Sequence, residues 1–528
     1  MTKLAVAIMV DTLEQALSQA AIAAEYGADL VEYRIDTFID DSDAIRELIT
    51  QSPLSCIVTC RPEWEGGHYE GNEDDRFNVL QAVGDAGPLY MDVELAAYQK
   101  SIDRQEIICQ LVDHPGQVTP TSTGLVLSSH DFQGRPMDLL QRVEGMAGAT
   151  ACRVIKIVWQ ARSLRDNLEA FELISDQHKP TIALCMGETG LPSRVLAKKF
   201  GALLTFAGLE DSSGTAPGQV GVRTMKSLYR WDAINAETRV YGVIGWPVGH
   251  SMSPAIHNAG FDAVDFNGVY LPMPIPPEYE HFKATVGTWL DFEPLHFRGA
   301  SVTIPHKENL LRFVEEHGGE IEPLAASIGA ANTLIVRDDG SLYATNTDQA
   351  AALDAVCHAM GIGREGLKDL RVGVIGAGGA ARAIVAGFAG LGATVVVYNR
   401  TLEKAQKLAD QFNGKPGKVV AAEMANLCKS CCQVYVNCTP VGMHPNEDAC
   451  PIDQWPEGIG SDTVVFDTIY NPIETRLLKE AKAAGCKTVS GLDMFVGQGA
   501  AQFKAWTGED APLDIFRSIV IQKLGVRS

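Results

Sequence analysis

The sequence predicts an α/β protein in two parts: a (β/α)8 barrel, then a two-lobed unit whose second lobe is a Rossmann nucleotide-binding domain. Three observations carry this. Within residues 1–228, short β-rich runs alternate with amphipathic segments eight times. Residues 370–401, LRVGVIGAGGAARAIVAGFAGLGATVVVYNRT, read as strand, glycine turn, helix and strand. Between these parts, residues 229–239 are short and polar and read as a linker.

The eight runs are 4–10, 29–35, 55–61, 89–94, 124–130, 152–158, 181–185 and 202–206, with helical patterns such as 12–26 and 164–177 between them. Barrels of this kind place their active sites at the carboxyl ends of the strands, and the polar residues fall there. In Leu30-Val-Glu-Tyr-Arg-Ile-Asp36, alternation puts Glu32, Arg34 and Asp36 on one face. Three charges on an inward face are costly unless they bind something. The third run ends in Thr59-Cys-Arg61 and is followed by Glu65-Gly66-Gly67. The fourth carries Asp92 and Glu94, and the fifth ends in Ser128-Ser-His130-Asp131.

The sixth run holds Lys156 inside an apolar strand. An amine in an apolar wall loses hydration, its pKa falls, and it becomes a nucleophile toward a carbonyl. The alternative is a lysine paired with an inward carboxylate. His130 ends the neighbouring strand and is a candidate proton carrier, or a satisfied core histidine. Arg194 follows the seventh strand and can take a carboxylate. The loop Ser212-Ser-Gly-Thr215-Ala-Pro-Gly-Gln219 suits hydroxyls.

Together Glu32-Tyr-Arg34, Arg61 with Glu65-Gly-Gly, Ser129-His130-Asp131, Lys156 and the Ala-Pro-Gly-Gln219 loop resemble a type I 3-dehydroquinate dehydratase over nearly all of residues 1–228. The resemblance implies that Lys156 forms an imine with the substrate ketone and that His130 moves the protons. It makes Arg194 the carboxylate anchor and Glu32, Arg34, Arg61, Glu65, Thr215 and Gln219 the polar cradle. Thr215 stands where many members have Ser, with the hydroxyl kept.

In the nucleotide unit, Gly376, Gly378 and Gly379 allow a tight turn and close approach of a pyrophosphate to a helix N-terminus. The second strand ends in Asn399-Arg400-Thr401. An NAD site usually has an acidic residue there, whereas an arginine suits a 2′-phosphate, so the cofactor expected is NADP(H). Ahead of this unit lies Ser251-Met-Ser253 at a strand–helix joint, able to bind a carboxylate or simply to cap the helix. Thr303 and Lys307, Asn332, and Asn346-Thr-Asp348 end separate elements and hold the inventory for alcohol–ketone redox chemistry. Lys307 alone would read as a surface lysine.

These motifs, with Asn437 to Met443, Asp467 to Pro472 and Met494 to Gln498, occur in the order of a shikimate dehydrogenase, which residues 240–528 resemble. The resemblance implies proton transfer by Lys307 and Asp348, carboxylate binding by Ser251 and Ser253, and ring positioning by Thr303, Asn332, Tyr470 and Gln498. It assigns the cofactor to Gly376, Gly378, Gly379, Ala380, Asn399, Arg400, Thr401, Thr439, Met443, Gly491 and Met494. Ala351 departs from the pattern, where the family often has Gly. The expected lobes are 240–345 with 491–528 for substrate, and 346–490 for NADP. The two halves would take 3-dehydroquinate to 3-dehydroshikimate and then to shikimate. Quinate use, or a catalytically silent metabolite sensor, are the alternatives.

Composition bounds the partners. The chain has 528 residues, 21% charged and 46% hydrophobic, with a formal net charge of −22. That charge argues against nucleic-acid and acidic-membrane partners while permitting a locally basic site for an anionic substrate. No apolar run is long enough to span a membrane. The N-terminus runs directly into a strand, so a cytoplasmic location is expected. The 12 cysteines are scattered as reduced thiols. Cys428-Lys-Ser-Cys431 lacks a second pair at zinc spacing, and no metal is expected in either half.

Overall fold

The computed structural model describes residues 1–115, 121–176, 178–211, 218–414 and 416–525. The chain divides into two compact units. One comprises Met1–Val240, Asn267–Ile275 and Lys283–Phe297, the other Tyr241–Phe266, Pro276–Phe282 and Arg298–Ser528.

In the first unit the eight expected runs are the strands β1 (Lys3–Met9), β2 (Leu30–Arg34), β3 (Cys56–Thr59), β4 (Tyr90–Glu94), β5 (Gly124–Asp131), β6 (Cys152–Gln160), β7 (Thr181–Met186) and β8 (Leu204–Ala207). They lie side by side in the order β7-β6-β5-β4-β3-β2-β1-β8. The two ends of this row nearly meet, and the Leu203 N–H donates to Thr181 O across the seam (3.0 Å). The strands are buried on both faces, as parallel strands under a helical layer must be; all five residues of β2 are buried. Tyr33 points outward, its hydroxyl 2.8 Å from Ser52 Oγ just after the helix Ser42–Gln51. Glu32 and Arg34 therefore point inward. Thr12 caps the first helix by accepting the Gln15 N–H at 3.1 Å.

The barrel floor is apolar: Ala5, Ala7, Leu30, Ile57, Val126, Val154, Ile182 and Leu204 pack together there. Two residues further along each strand the walls diverge. β2 to β6 present Glu32, Thr59, Asp92, Ser128 and Lys156, whereas β7 and β8 present Leu184 and Phe206. The polar joint is in part packed down. Trp231–Ala233 form a 3₁₀ turn, Trp231 and Ile234 are buried, and Lys198 Nζ donates to the carbonyls of Trp231 (3.1 Å) and Asp232 (2.8 Å).

The second unit holds a six-stranded parallel sheet with the order Lys418–Glu423, Thr394–Asn399, Arg371–Ile375, Val434–Asn437, Val464–Asp467, Lys487–Val489. The order reverses between Arg371–Ile375 and Val434–Asn437, the place where a doubly wound sheet binds ligands. The other lobe contains Phe297–Val302 antiparallel to Thr333–Val336, which pairs in turn with Leu342–Thr345. The helix Gly491–Thr507, closed by a Ser490–Asp493 capping box, returns to this lobe. Its Gln502 accepts from Ser301 Oγ (2.9 Å) and donates to Thr333 Oγ1 (3.0 Å). Among the described residues no helix is long and apolar enough to cross a membrane.

Candidate active sites

The first site is a cavity in the barrel mouth. It is lined by Glu32, Arg34, Arg61, Glu65, His130, Lys156, Arg194 and Gln219, together with Phe132, Val158, Leu184, Met186 and Phe206. All the barrel residues expected at the site are thus gathered except Thr215, which lies outside the described residues.

Lys156 does not sit in the apolar wall expected for it. Its Nζ donates to Asp92 Oδ2 (2.8 Å) and Glu32 Oε1 (3.2 Å). Only one side is apolar, where the Phe206 ring lies 4.6 Å from Nζ. The difference has a plain cause. β6 is apolar along its own length, but β2 and β4 aim carboxylates at the same level from across the barrel. The two guanidinium and ammonium charges beside Asp92, from Arg61 and Lys156, hold its carboxyl far below the usual range despite burial.

His130 is neutral in this setting: burial lowers its pKa well below the ordinary value, and the Arg61 and Lys156 charges push the same way. Glu65 Oε1 accepts the His130 backbone N–H (2.6 Å) and lies 3.1 Å from Nδ1. An oxygen already accepting the backbone N–H takes a second donor most simply from Nδ1–H, which leaves Nε2 with a free lone pair. Arg34 forms a two-pronged pair with Asp36 (3.1 and 2.6 Å), which also accepts the Arg61 N–H (2.9 Å). Arg194 has only a long contact among the described residues, Nη1 to Phe206 O at 3.5 Å, and its Nε is buried there without a partner. Burial lowers it to about 10. A buried cation with spare donors fits a carboxylate.

Asp92 and Glu94 are noted from sequence at the end of the fourth strand but given no role there, and Phe206 and Arg76 are not singled out. Asp92 and Glu94 carried a signal, two alternating carboxylates on one strand. Arg76 carried none, because an arginine in an amphipathic helix reads as a solvated face.

The second site is a cavity of about 400 Å³ lined by Ser251, Ser253, Thr303, Lys307, Asn332, Asp348, Tyr470, Gly491, Met494 and Gln498, with His250, Ser301, Thr468, Phe495 and Gln502. Lys307 Nζ lies 2.5 Å from Asp348 Oδ2. Both residues open helices, Lys307–Glu316 and Thr347–Met360. A helix N-terminus favours the aspartate and disfavours the lysine, so the pair offsets the strain on Lys307. The Asp348 helix is pinned at its start: Asn346 accepts the Gln349 N–H (3.4 Å), and Asn332 Oδ1 accepts the Thr347 N–H (2.9 Å). Asn332 therefore spends its side-chain carbonyl and one Nδ2 hydrogen, which donates to Thr347 Oγ1 (3.0 Å), on the helix that carries Asp348, leaving one amide hydrogen for a ligand. Ser251 and Ser253 meet at the start of the helix Ser253–Ala263, where the Ser253 N–H donates to Ser251 Oγ (3.2 Å). Gln502 was missed as a wall residue, since a lone glutamine in an apolar helical stretch resembles core.

The nucleotide residues form a cradle. Gly376 has φ +112°, and a Cβ there would lie 3.1 Å from Cys438 O and Thr439 Cγ2. At Gly378 and Gly379 a Cβ would meet nothing within 4 Å. The helix Gly379–Gly390 begins without a side-chain cap, with Ala380 in its first turn. Open space before bare helix N–H groups fits a pyrophosphate. Arg400 is exposed beyond the strand Thr394–Asn399, and Asn399 Nδ2 donates to Thr401 O (2.8 Å). An unburied guanidinium at that strand end fits a 2′-phosphate. Thr439 donates to Asn437 Oδ1 (2.7 Å) and Met443 is exposed. Gly491 and Met494 line the 400 Å³ cavity. A Cβ at Gly491 would collide with Thr468 O at 2.4 Å, so that glycine serves close packing as well.

Family profiles match in the same arrangement. A type I 3-dehydroquinase profile covers residues 4–236, a shikimate dehydrogenase substrate-binding domain 243–334, a shikimate/quinate 5-dehydrogenase profile 360–440, and a shikimate 5′-dehydrogenase C-terminal domain 491–521. The chain is 37% identical, over 97% of its length and 83% of the relative's, to a chloroplastic bifunctional 3-dehydroquinate dehydratase/shikimate dehydrogenase of Arabidopsis thaliana. It is 40% identical to an NADP(+) shikimate dehydrogenase of Methanosarcina acetivorans, over 54% of this chain and 99% of that protein. Among solved structures it is similar to the dehydroquinate dehydratase and shikimate dehydrogenase of S. pombe, at 26% identity over 98% of each chain and a TM-score of 0.45. The chain belongs to the family of bifunctional 3-dehydroquinate dehydratase/shikimate dehydrogenases.

Proposed function

We propose that Lys156 and His130 carry the dehydratase chemistry of this chain and that Lys307 and Asp348 carry its dehydrogenase chemistry. The chain is a lyase and an oxidoreductase of the shikimate pathway, with NADP as its cofactor. It converts 3-dehydroquinate to 3-dehydroshikimate and then reduces that ketone to shikimate. The observation that carries the residue assignment is that each cavity gathers one amine and a proton-handling group: Lys156 shares the barrel cavity with neutral His130, and Lys307 is paired with Asp348.

In the barrel, Lys156 first gives a proton to His130; Nζ then adds to the substrate ketone, and the carbinolamine takes that proton back from His130 at its hydroxyl and loses water to give a protonated imine. The imine acidifies the α-hydrogen, His130 Nε2 takes it, and the electron pair expels the β-hydroxyl as water after proton return from His130. Hydrolysis then frees the amine and the product ketone. Arg194 holds the carboxylate. Glu32, Arg34, Arg61 and Gln219 surround the hydroxyls, while Glu65 fixes the tautomer of His130.

In the second cavity, NADPH when bound would supply the hydride for the carbonyl carbon. Lys307 gives a proton to the carbonyl oxygen, and Asp348 holds Lys307 in place and returns its proton from solvent. Ser251 and Ser253 take the carboxylate at the helix start; Thr303, Asn332, Tyr470 and Gln498 position the ring. Gly376, Gly378, Gly379 and Ala380 would hold the pyrophosphate, and Asn399, Arg400 and Thr401 the adenosine ribose with its 2′-phosphate. Thr439, Met443, Gly491 and Met494 would flank the nicotinamide side. The functional boundaries we read are 1–228, 240–345 with 491–528, and 346–490; the matches of the second half fall within these bounds, whereas the first match runs on to residue 236, into the joint, and the compact units group 267–275 and 283–297 with the barrel. A reducing compartment, which we read as the cytoplasm, is supported by twelve free thiols; the A. thaliana relative is described as chloroplastic.

The test is NADPH absorbance after 3-dehydroquinate is added to the purified chain alone. Oxidation by the wild type, abolished separately in Lys156→Ala and Lys307→Ala, is expected. Oxidation that survives either substitution would remove that residue from its role.

A further inference from the structure

A row of alternating charges runs from Lys156 away from the barrel cavity. Asp92 accepts from Lys156 Nζ through Oδ2 (2.8 Å) and from Arg61 Nη2 through Oδ1 (2.7 Å). Glu94 accepts from Arg61 Nη1 through Oε1 (2.6 Å) and from Arg76 Nη1 through Oε2 (2.6 Å). The same Arg76 nitrogen donates to Cys60 O (2.9 Å), the carbonyl just before Arg61. With Glu32 on Lys156, Glu73 on the far side of Arg76 (2.8 Å) and Arg104 beside Glu73 (3.7 Å), the row holds four cations, Lys156, Arg61, Arg76 and Arg104, and four anions, Glu32, Asp92, Glu94 and Glu73. Arg76 is fully buried on the helix Glu73–Gly84 and lines no part of the cavity. Buried ion pairs are poor stabilisers compared with apolar side chains of similar volume. Space filling therefore does not account for an arginine here.

We infer that Arg76 is a positioning residue of the dehydratase: through Glu94 and the Cys60 carbonyl it fixes Arg61, and through Arg61 and Asp92 it keeps a charge-balanced seat for a cation at Lys156 Nζ. This rests on Lys156 being the imine-forming amine. The row is neutral only when Nζ carries a positive charge. Ammonium and protonated imine carry it; amine and unprotonated imine do not. The row thus favours the protonated imine, the form that withdraws electrons from the α-carbon. The other charged or titratable groups facing this cavity are Arg34, Glu65, His130 and Arg194.

The test uses the full-length chain, with dehydratase rates measured against pH for Arg76→Met, Arg76→Lys, Glu94→Gln and the double variant that combines Arg76→Met with Glu94→Gln. Dehydrogenase turnover in the same preparations reports active protein. Arg76→Met should lower dehydratase kcat about tenfold, as for residues sharing one ion network, with KM little changed. It leaves the row with excess negative charge, so the acid limb of kcat/KM should move to higher pH. Glu94→Gln should move that limb to lower pH, the double variant should return it, and Arg76→Lys should recover part of kcat. An unmoved limb, or two single variants shifting it the same way, would overturn the inference. If Arg76→Met yields no folded barrel, Glu94→Gln decides alone by the same criterion. Borohydride with 3-dehydroquinate should add mass at Lys156 in the wild type; its failure there would overturn the imine reading and the inference with it.

Discussion

Glu65 Oε1 accepts the backbone N–H of His130 at 2.6 Å and lies 3.1 Å from its Nδ1, so one buried oxygen fixes both the loop position and the ring of the proton carrier. Burial pushes Glu65 from 4.5 up to about 8, even with Arg61 pulling the other way. The folded barrel therefore keeps a proton on Glu65 that the unfolded chain releases above about 4.5. Stability from this group is full below that pH and is lost as pH rises through about 8. The slope is at most about 1.4 kcal/mol per pH unit. Urea titrations of the chain, scored by dehydratase activity, should show the midpoint falling across this window. Glu65→Gln, which keeps the acceptor without the ionisation, should flatten the fall. Equal slopes in both proteins would contradict the assignment.

The 2.5 Å contact between Lys307 and Asp348 predicts a loss confined to one activity. Lys307→Met should lower dehydrogenase kcat by about 10²-fold or more, the range for a positioned acid–base group. Asp348→Asn should do nearly as much, because an amide cannot hold or recharge the ammonium. Dehydration of 3-dehydroquinate by the same preparations should be unchanged. A parallel fall in both rates would point to misfolding rather than chemistry.

Gly378 separates fold from cofactor binding. Its φ of −89° and ψ of −167° suit any residue, and a Cβ there would meet nothing within 4 Å. Gly378→Ala should leave stability within about 0.5 kcal/mol. A methyl group in the pyrophosphate cradle should nevertheless raise KM for NADPH about tenfold, the equivalent of ~1.4 kcal/mol. Steady-state kinetics at fixed 3-dehydroshikimate would measure it. An unchanged KM would place the phosphates elsewhere.

Much of this was legible because strand alternation is strict. Glu32 and Arg34 could be assigned to the inside of the barrel from the period of two, and the glycine turn announced the nucleotide lobe. What could not be read was the company each side chain keeps. Lys156 looked apolar because its strand neighbours are; Asp92 and Glu32 reach it from strands 64 and 124 residues away. Arg76 and Gln502 stayed hidden for a related reason. Each is polar on a helix, and only the tertiary structure shows that its face is buried. Thr215 falls outside the described residues, so its part in the cradle rests on the resemblance alone.

The resemblance leads to Gly at position 351, where this chain has Ala, and the structure shows what accommodates it. The helices Thr347–Met360 and Gly491–Thr507 cross with Ala351 opposite Gly497, and a Cβ at 497 would lie 3.3 Å from the Ala351 Cβ. The residues adjoining this crossing include Asp348 and Gln498, both in the wall of the second cavity. Gly497→Val should destabilise the unit by about 1–3 kcal/mol through overpacking. Ala351→Gly alone should also destabilise it, by ~1 kcal/mol of helix propensity. In the Gly497→Val background the same change should stabilise, because it clears the space the valine needs. That reversal of sign is the coupling a contacting pair shows and a distant pair does not. Urea midpoints of the four proteins, followed by dehydrogenase activity, would measure it, and additive effects would mean that Ala351 is tolerated for some reason other than Gly497.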